Sequence, residues 1–249
     1  VFFRRTIWSG KNWIYEVSST FEDFGAQIAW RRATLSRAPN THAYLVVGMA
    51  VRGNAMNLAY VVRCNFNDPA REESWNSWYS GPKLRQMLQK PHFLTGQRYR
   101  RTAGQGRNYL AYWTLSSADA FTTPEYTNDW GFFEWRSYII DWSRDLFQTI
   151  DGSSVAAPRV GDGEFLRIVS FEGLGEAEAE ERRGRIDAAK PGTVWHKSVG
   201  LDRHTPLFGV SIETSPELEP PVEGVNVALY HPISPLAITE RAEFSGLVR

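Results

Sequence analysis

From Leu58 to Phe66 the chain reads LAYVVRCNF, a run of β-branched and aromatic residues that predicts a strand. Asn67-Asp68-Pro69 follows and sets proline at a helix start, where its missing N–H costs nothing. Apolar residues at Trp75, Trp78, Tyr79, Leu84, Met87 and Leu88 then recur near helical spacing, so a helix is expected over 69–89, kinked or restarted at Gly81-Pro82. Two strand-like runs come next, Phe93 to Arg101 and Tyr109 to Leu115, joined by a loop whose Gly104 and Gly106 suit a hairpin. Ser116-Ser117-Ala118-Asp119 opens a short helix, and an extended stretch runs from Phe132 to Phe147. The order is β-α-β-β-α-β.

A Gly/Ser/Pro-rich linker over 151–162 precedes a second copy of that order. A strand is expected over Glu164 to Phe171, a glutamate- and alanine-rich helix over Gly175 to Ala189, and strands over Thr193 to Leu201, Leu207 to Thr214 and Val225 to His231. Pro216, Pro220 and Pro221 leave little room for a second helix. Units of this kind leave one sheet face bare, and two of them in one chain can bury each other's. The expected fold class is therefore α+β: two ferredoxin-like units, 56–150 and 163–249, packed as an intramolecular dimeric α+β barrel. Residues 1–55 read differently. They are arginine-rich and weakly periodic, as in Arg31 to Arg37, and Met56 or Met49 would suit a natural start. A targeting peptide fits less well, because Glu16, Glu22 and Asp23 interrupt the acid-poor character such peptides have.

Charge narrows the function classes. Lysine plus arginine and aspartate plus glutamate balance at 28 each, so no net field favours nucleic acid or anionic lipid. The only cysteine is Cys64, which excludes an internal disulfide and fits a cytoplasmic setting. The longest apolar stretch, Ala43 to Val51, is about half the roughly 20 residues a membrane span needs. Aromatic residues make up 14% of the chain, enough to furnish both cores and a pocket.

The segment Asp68 to Tyr79, then Leu84, Leu88, Pro91-His92-Phe93-Leu94 and Arg98-Tyr99-Arg100, resembles the dimeric α/β-barrel superfamily, nearest its EthD-like members. Tyr109 to Leu115 and Ser116 to Pro124 are similar to that family's third strand and short helix. The likeness covers 57–147 in residues and 163–233 in element order alone. It implies the barrel fold, and a range of activities: cofactor-free monooxygenases, isomerases, cyclases, lyases and haem enzymes. Lys83 stands where the family places a histidine after its Trp-Tyr pair, and His92 replaces the glycine of its Pro-Gly-Phe. Roles tied to that histidine do not carry over.

Strand alternation sorts side chains between the barrel interior and the helix layer. Arg63 and Asn65 are expected inside, opposite Tyr60, Val62 and Cys64. In the second unit Leu166 and Ile168 are expected to face the helix and Arg167 the interior, while Phe208 and Val210 leave Ser211 and Glu213 inside. His196 and Tyr230 join them. A histidine beside a carboxylate makes a general base, and arginines hold anions, so His196, Glu213, Arg63 and Arg167 form the expected catalytic set. The bland alternative is that Arg63 or Arg167 only pairs with Glu213 to satisfy buried charges and His196 hydrogen-bonds a neighbour. Asn65, Tyr99, Tyr112, Trp113 and Tyr230 are expected to bind substrate. Trp75, Trp78 and Tyr79 read as core, and the cluster from Trp130 to Trp142 as the rim of the barrel mouth or an oligomer contact.

The reading that follows is a cofactor-independent enzyme using acid/base chemistry on a hydrophobic, aromatic or polyketide-like small molecule, by isomerisation, elimination or oxygenation. No metal, nucleic acid or membrane partner is expected, and homodimerisation stays open. The alternatives are a non-catalytic binding barrel and a chlorite dismutase-like haem protein.

Overall fold

The computed structural model describes residues 3–9, 12–18, 57–218 and 221–241. The chain divides into two units, Val1–Asn54 and Ala55–Arg249. In the first, strands β1 (Phe3–Ser9) and β2 (Asn12–Ser18) pair antiparallel. Arg31 to Arg37, Met49 and Met56 lie outside the described residues.

The second unit carries β3 (Leu58–Phe66), β4 (Phe93–Gly104), β5 (Tyr109–Leu115), β6 (Ile139–Thr149), β7 (Phe165–Ser170), β8 (Val194–Leu201), β9 (Leu207–Glu213), β10 (Asn226–Pro232) and the two-residue β11 (Ala237–Ile238). All pair antiparallel in the order β10-β7-β9-β8-β6-β3-β5-β4, and β10 pairs again with β4. That last pairing closes an eight-stranded barrel and removes its free edges. Counted within each half, the spatial order is fourth, first, third, second in both.

Helices cover the outside. In the first half α1 (Glu72–Trp78) runs through a π-turn at Tyr79–Lys83 into α2 (Leu84–Leu88). Pro82 lacks an N–H and its ring collides with the carbonyl one turn back, so the helix widens there instead of stopping. The short α3 (Pro124–Thr127) is capped by Thr123, whose hydroxyl accepts from the Tyr126 N–H. In the second half α4 (Glu176–Ala189) buries only Ala179 and Ile186. Arg183 pairs with Glu180 and Asp187 at the edge of the packed face, beside Trp195, and the Arg185–Glu181 pair lies on the exposed side. Among the described residues between β9 and β10 there is no helix, as the prolines there dictate.

Three apolar clusters result. Tyr60, Val62, Trp75 and Leu84 are among those packing the first-half strands against α1 and α2. Val169, Phe171, Trp195 and Ile186 pack the second half against α4. Between them, Val61, Tyr112, Phe147, Leu166, Ile168 and Phe208 fill the barrel itself. The second-half facing expected from sequence is thereby reversed: Leu166, Ile168, Phe208 and Val210 point inward, while Arg167 and Glu213 lie on the opposite face. Polarity misled here: the barrel centre is filled by the apolar set, and the polar set finds partners on the outer face, Arg167 at Thr193 and Glu213 at Lys190.

Candidate active site between the helix layer and the barrel wall

The residues expected to form one acid-base centre do not meet. His196 is buried inside the barrel, with Thr149 and Phe208 as its strand neighbours. Its Nδ1 lies 3.2 Å from the Phe208 carbonyl oxygen, so Nδ1–H donates there. Burial holds its pKa down at about 4. Glu213 is on the outer face, where its carboxylate pairs with Lys190 at the end of α4 (2.8 Å) and accepts from the Ser211 hydroxyl. Arg167, also outside, donates to Thr193 Oγ1 at 3.3 Å.

Arg63 does face inward, but towards acids of its own. Its guanidinium holds Asp145 at 3.1 Å and Glu172 at 2.6 Å, and Arg107 grips the same Glu172 oxygen at 2.6 Å. This is the bland outcome, with different acids. Burial pushes the Asp145 carboxyl up, against the pull of Arg63. Asn65 sits at the partly exposed end of β3, bonded to Asp141 (2.7 Å). Tyr112 and Tyr99 are sealed in the barrel, Tyr99 donating to Gln97 Oε1 (2.7 Å), and Tyr230 donates to the Arg107 carbonyl (2.8 Å). With Phe147 and Phe208 stacked 4.8 Å apart, these side chains fill the interior rather than line a chamber.

Trp113 points the other way. It forms part of a pocket between the outer face of the first-half strands and the helices, together with Tyr60, Tyr79, Lys83 and Tyr126. The outer wall is Trp130, Gly131, Phe132 and Trp142. The aromatic cluster read as a barrel rim therefore roofs this helix-side pocket. Trp130 stacks on Tyr126 (6.0 Å) and on Trp142 (6.2 Å), and the Arg144 guanidinium lies 4.7 Å from the Trp130 ring centre. The pocket encloses about 30 Å³, space for one or two waters. A larger guest must displace the roof, and the roof is accessible: Trp130 is 41% and Trp142 37% exposed.

Lys83 is the chemically distinctive group here. The π-turn carries it, and it is only 5% exposed. Nζ donates to Gln86 Oε1 (3.0 Å) and lies 4.6 Å from the Phe133 ring centre. Gln86 and Lys90 both engage Asp129 Oδ2, at 2.7 and 3.2 Å, so that oxygen is shared between an amide and an ammonium other than Lys83. Burial lowers the Lys83 pKa to about 8, the more distant Asp129 charge offsetting part of the loss and Lys90 adding to it. Tyr60 and Tyr126 face each other with hydroxyl oxygens 3.3 Å apart, and burial raises the Tyr60 and Tyr79 pKa values well above the usual phenol range. Near neutrality the pocket thus offers one titrating base and two neutral phenols, Tyr60 and Tyr79. Sequence reading passed over Lys83, although its place after the Trp-Tyr pair marked it as the substitute for a family histidine.

No protein-family model and no curated protein matches the chain. A solved structure does: one described as an anthrone oxidase-like protein aligns with a TM-score of 0.51 at 10% identity, over 74% of this chain and 94% of that one. The chain shares that structure's fold, an α+β architecture closed around an eight-stranded antiparallel barrel. Two structures provisionally described as monooxygenases are also similar. One, from Lactobacillus acidophilus NCFM, aligns at TM-score 0.40 and 12% identity over 74% and 97% of the two chains. The other, from Fusobacterium nucleatum subsp. nucleatum ATCC 25586, aligns at 0.41 and 7% over 74% and 94%. At such identities the likeness concerns the α+β barrel backbone, and the site has to be argued from its own side chains.

Proposed function

We propose that this α+β barrel is an oxygenase that needs no bound cofactor and oxidises an electron-rich, hydroxylated polycyclic aromatic compound in the helix-side pocket of its first half. The observation that carries this reading is the Lys83 amine, with its pKa near 8, enclosed by Tyr60, Tyr79, Trp113 and Tyr126. The neutral amine takes a proton from an acidic methylene beside a ring carbonyl, which leaves a delocalised carbanion held by phenol O–H donors. That anion is electron-rich enough to reduce dioxygen. Oxygen adds at the carbon as a hydroperoxide, and loss of water leaves a second carbonyl: CH2 plus O2 becomes C=O plus H2O. The description of the structural neighbour as anthrone oxidase-like agrees with such a substrate.

The two halves are further proposed to be tandem ferredoxin-like units of the EthD-like kind, a reading supported by their identical strand order. Only the first half carries the amine and its aromatic roof. The test of function is quinone formation and oxygen uptake with an anthrone as substrate. Lys83→Met should lower kcat by about a hundredfold or more, and His196→Gln should leave it within about twofold. Equal turnover by wild type and Lys83→Met overturns the assignment.

A further inference from the structure

The same amine supports a second chemistry that does not depend on the oxygenase reading. Four lysines lie among the described residues. Lys90 pairs with Asp129, Lys190 pairs with Glu213, and Lys197 is exposed. The ion pair that Asp129 makes is with Lys90, its Oδ2 also accepting from Gln86. Lys90 is as buried as Lys83, but it carries that ion pair; Lys83 differs from all three in facing an aromatic pocket with a hydrogen bond to a neutral amide oxygen. An amine held this way is stripped of the hydration and ion pairing that keep ordinary lysines protonated and unreactive.

We propose that Lys83 captures planar aromatic aldehydes as a covalent imine in this pocket. The amine lone pair forms a C–N bond to the carbonyl carbon as the C=O π pair moves to oxygen, which takes a proton while the new ammonium gives one up, leaving a neutral carbinolamine. The hydroxyl then leaves with a proton as water, and loss of the N–H proton leaves C=N. Aldehyde and amine thus become imine and water, with no change of oxidation state. Tyr60 and Tyr126 line the same pocket and supply hydroxyl groups to protonate the departing oxygen. At pH 8 about half of the Lys83 amine is neutral, against under about 1% of an ordinary lysine.

The test uses the full chain, under nitrogen, at pH 8, with 2-naphthaldehyde and cyanoborohydride, which reduces any imine to a stable secondary amine. Peptide mapping follows the adduct on each lysine. Lys83 should be labelled on the order of tenfold faster than Lys190 or Lys197, and excess naphthalene should slow Lys83 without affecting Lys197. Labelling of Lys83 no faster than Lys197, or insensitive to naphthalene, overturns the proposal. The readout needs no mutant and no oxygen, so selective capture without quinone formation upholds this inference while removing the oxygenase. Quinone formation without selective capture does the reverse.

Discussion

The Lys83 amine lies 4.6 Å from the centre of the Phe133 ring, and that ring is 46% exposed. Phe133 holds a positive φ of 48°, unusual for a bulky residue, directly after the roof residues of the pocket. It is therefore a cover held in place by its contact with the amine. Phe133→Ala should admit water to Lys83 and raise its pKa from about 8 towards 10.5. Loss of the cation–π contact pulls the other way, but at a half-exposed ring it is worth about 0.5–1 kcal/mol, less than the burial penalty it opposes. The pH profile of aldehyde labelling reports the shift. A profile that stays put or moves to lower pH rules out the covering role.

His196 should make the fold acid-sensitive. Its folded-state pKa is about 4 against 6.5 when exposed, so the unfolded chain binds the extra proton between those values. Stability is then full above pH 6.5 and falls as pH drops towards 4, by about 2–3 kcal/mol in all. Urea unfolding of His196→Gln should show a flatter dependence across that window. An unchanged slope would mean that other groups set the acid limit.

Arg63→Met should cost about 3–5 kcal/mol, because Asp145 stays buried with a charge and loses its guanidinium. Glu172 retains Arg107 and is less affected. Adding Asp145→Leu should restore much of the loss, since replacing both members of a buried pair removes the desolvation cost together with the attraction. Chemical denaturation of the two variants checks this, and no recovery in the double variant would assign Asp145 a further role.

Gly96 on β4 lies beneath the Trp113 ring on β5, its paired residue. A Cβ there would run into the indole and touch Leu84 Cδ2 at 3.0 Å. Gly96→Ala should destabilise by about 1–3 kcal/mol and shift Trp113 into the pocket, which calorimetry and aldehyde labelling at Lys83 read separately. The second half repeats the device with the roles exchanged between strands: Gly209 on β9 sits beneath Trp195 on β8.

Much of the architecture was legible in the chain. The nine residues from Leu58 to Phe66 made a strand with the bounds expected, Gly81-Pro82 marked where the helix would distort, and the prolines after Thr214 denied the second half its second helix. Arg63 was placed inward correctly because Tyr60, Val62 and Cys64 alternate cleanly against it. The same argument failed at Arg167 and Glu213. Alternation separates two sets of side chains without saying which lies inside: the barrel centre takes the apolar set, and Arg167 and Glu213 find polar partners on the outer face.

The local order of strands and helices therefore belonged to the sequence, since period, proline and glycine act over a few residues at a time. Closure of the barrel through β10 and β4 did not, because that pairing joins strands more than a hundred residues apart. Nor did the site. A lysine after a Trp-Tyr pair is an ordinary surface residue until Asp129 pairs with Lys90 and Trp130 and Trp142 roof the space beside it. Desolvation, which makes the amine a base near neutral pH, comes from groups gathered across the tertiary fold.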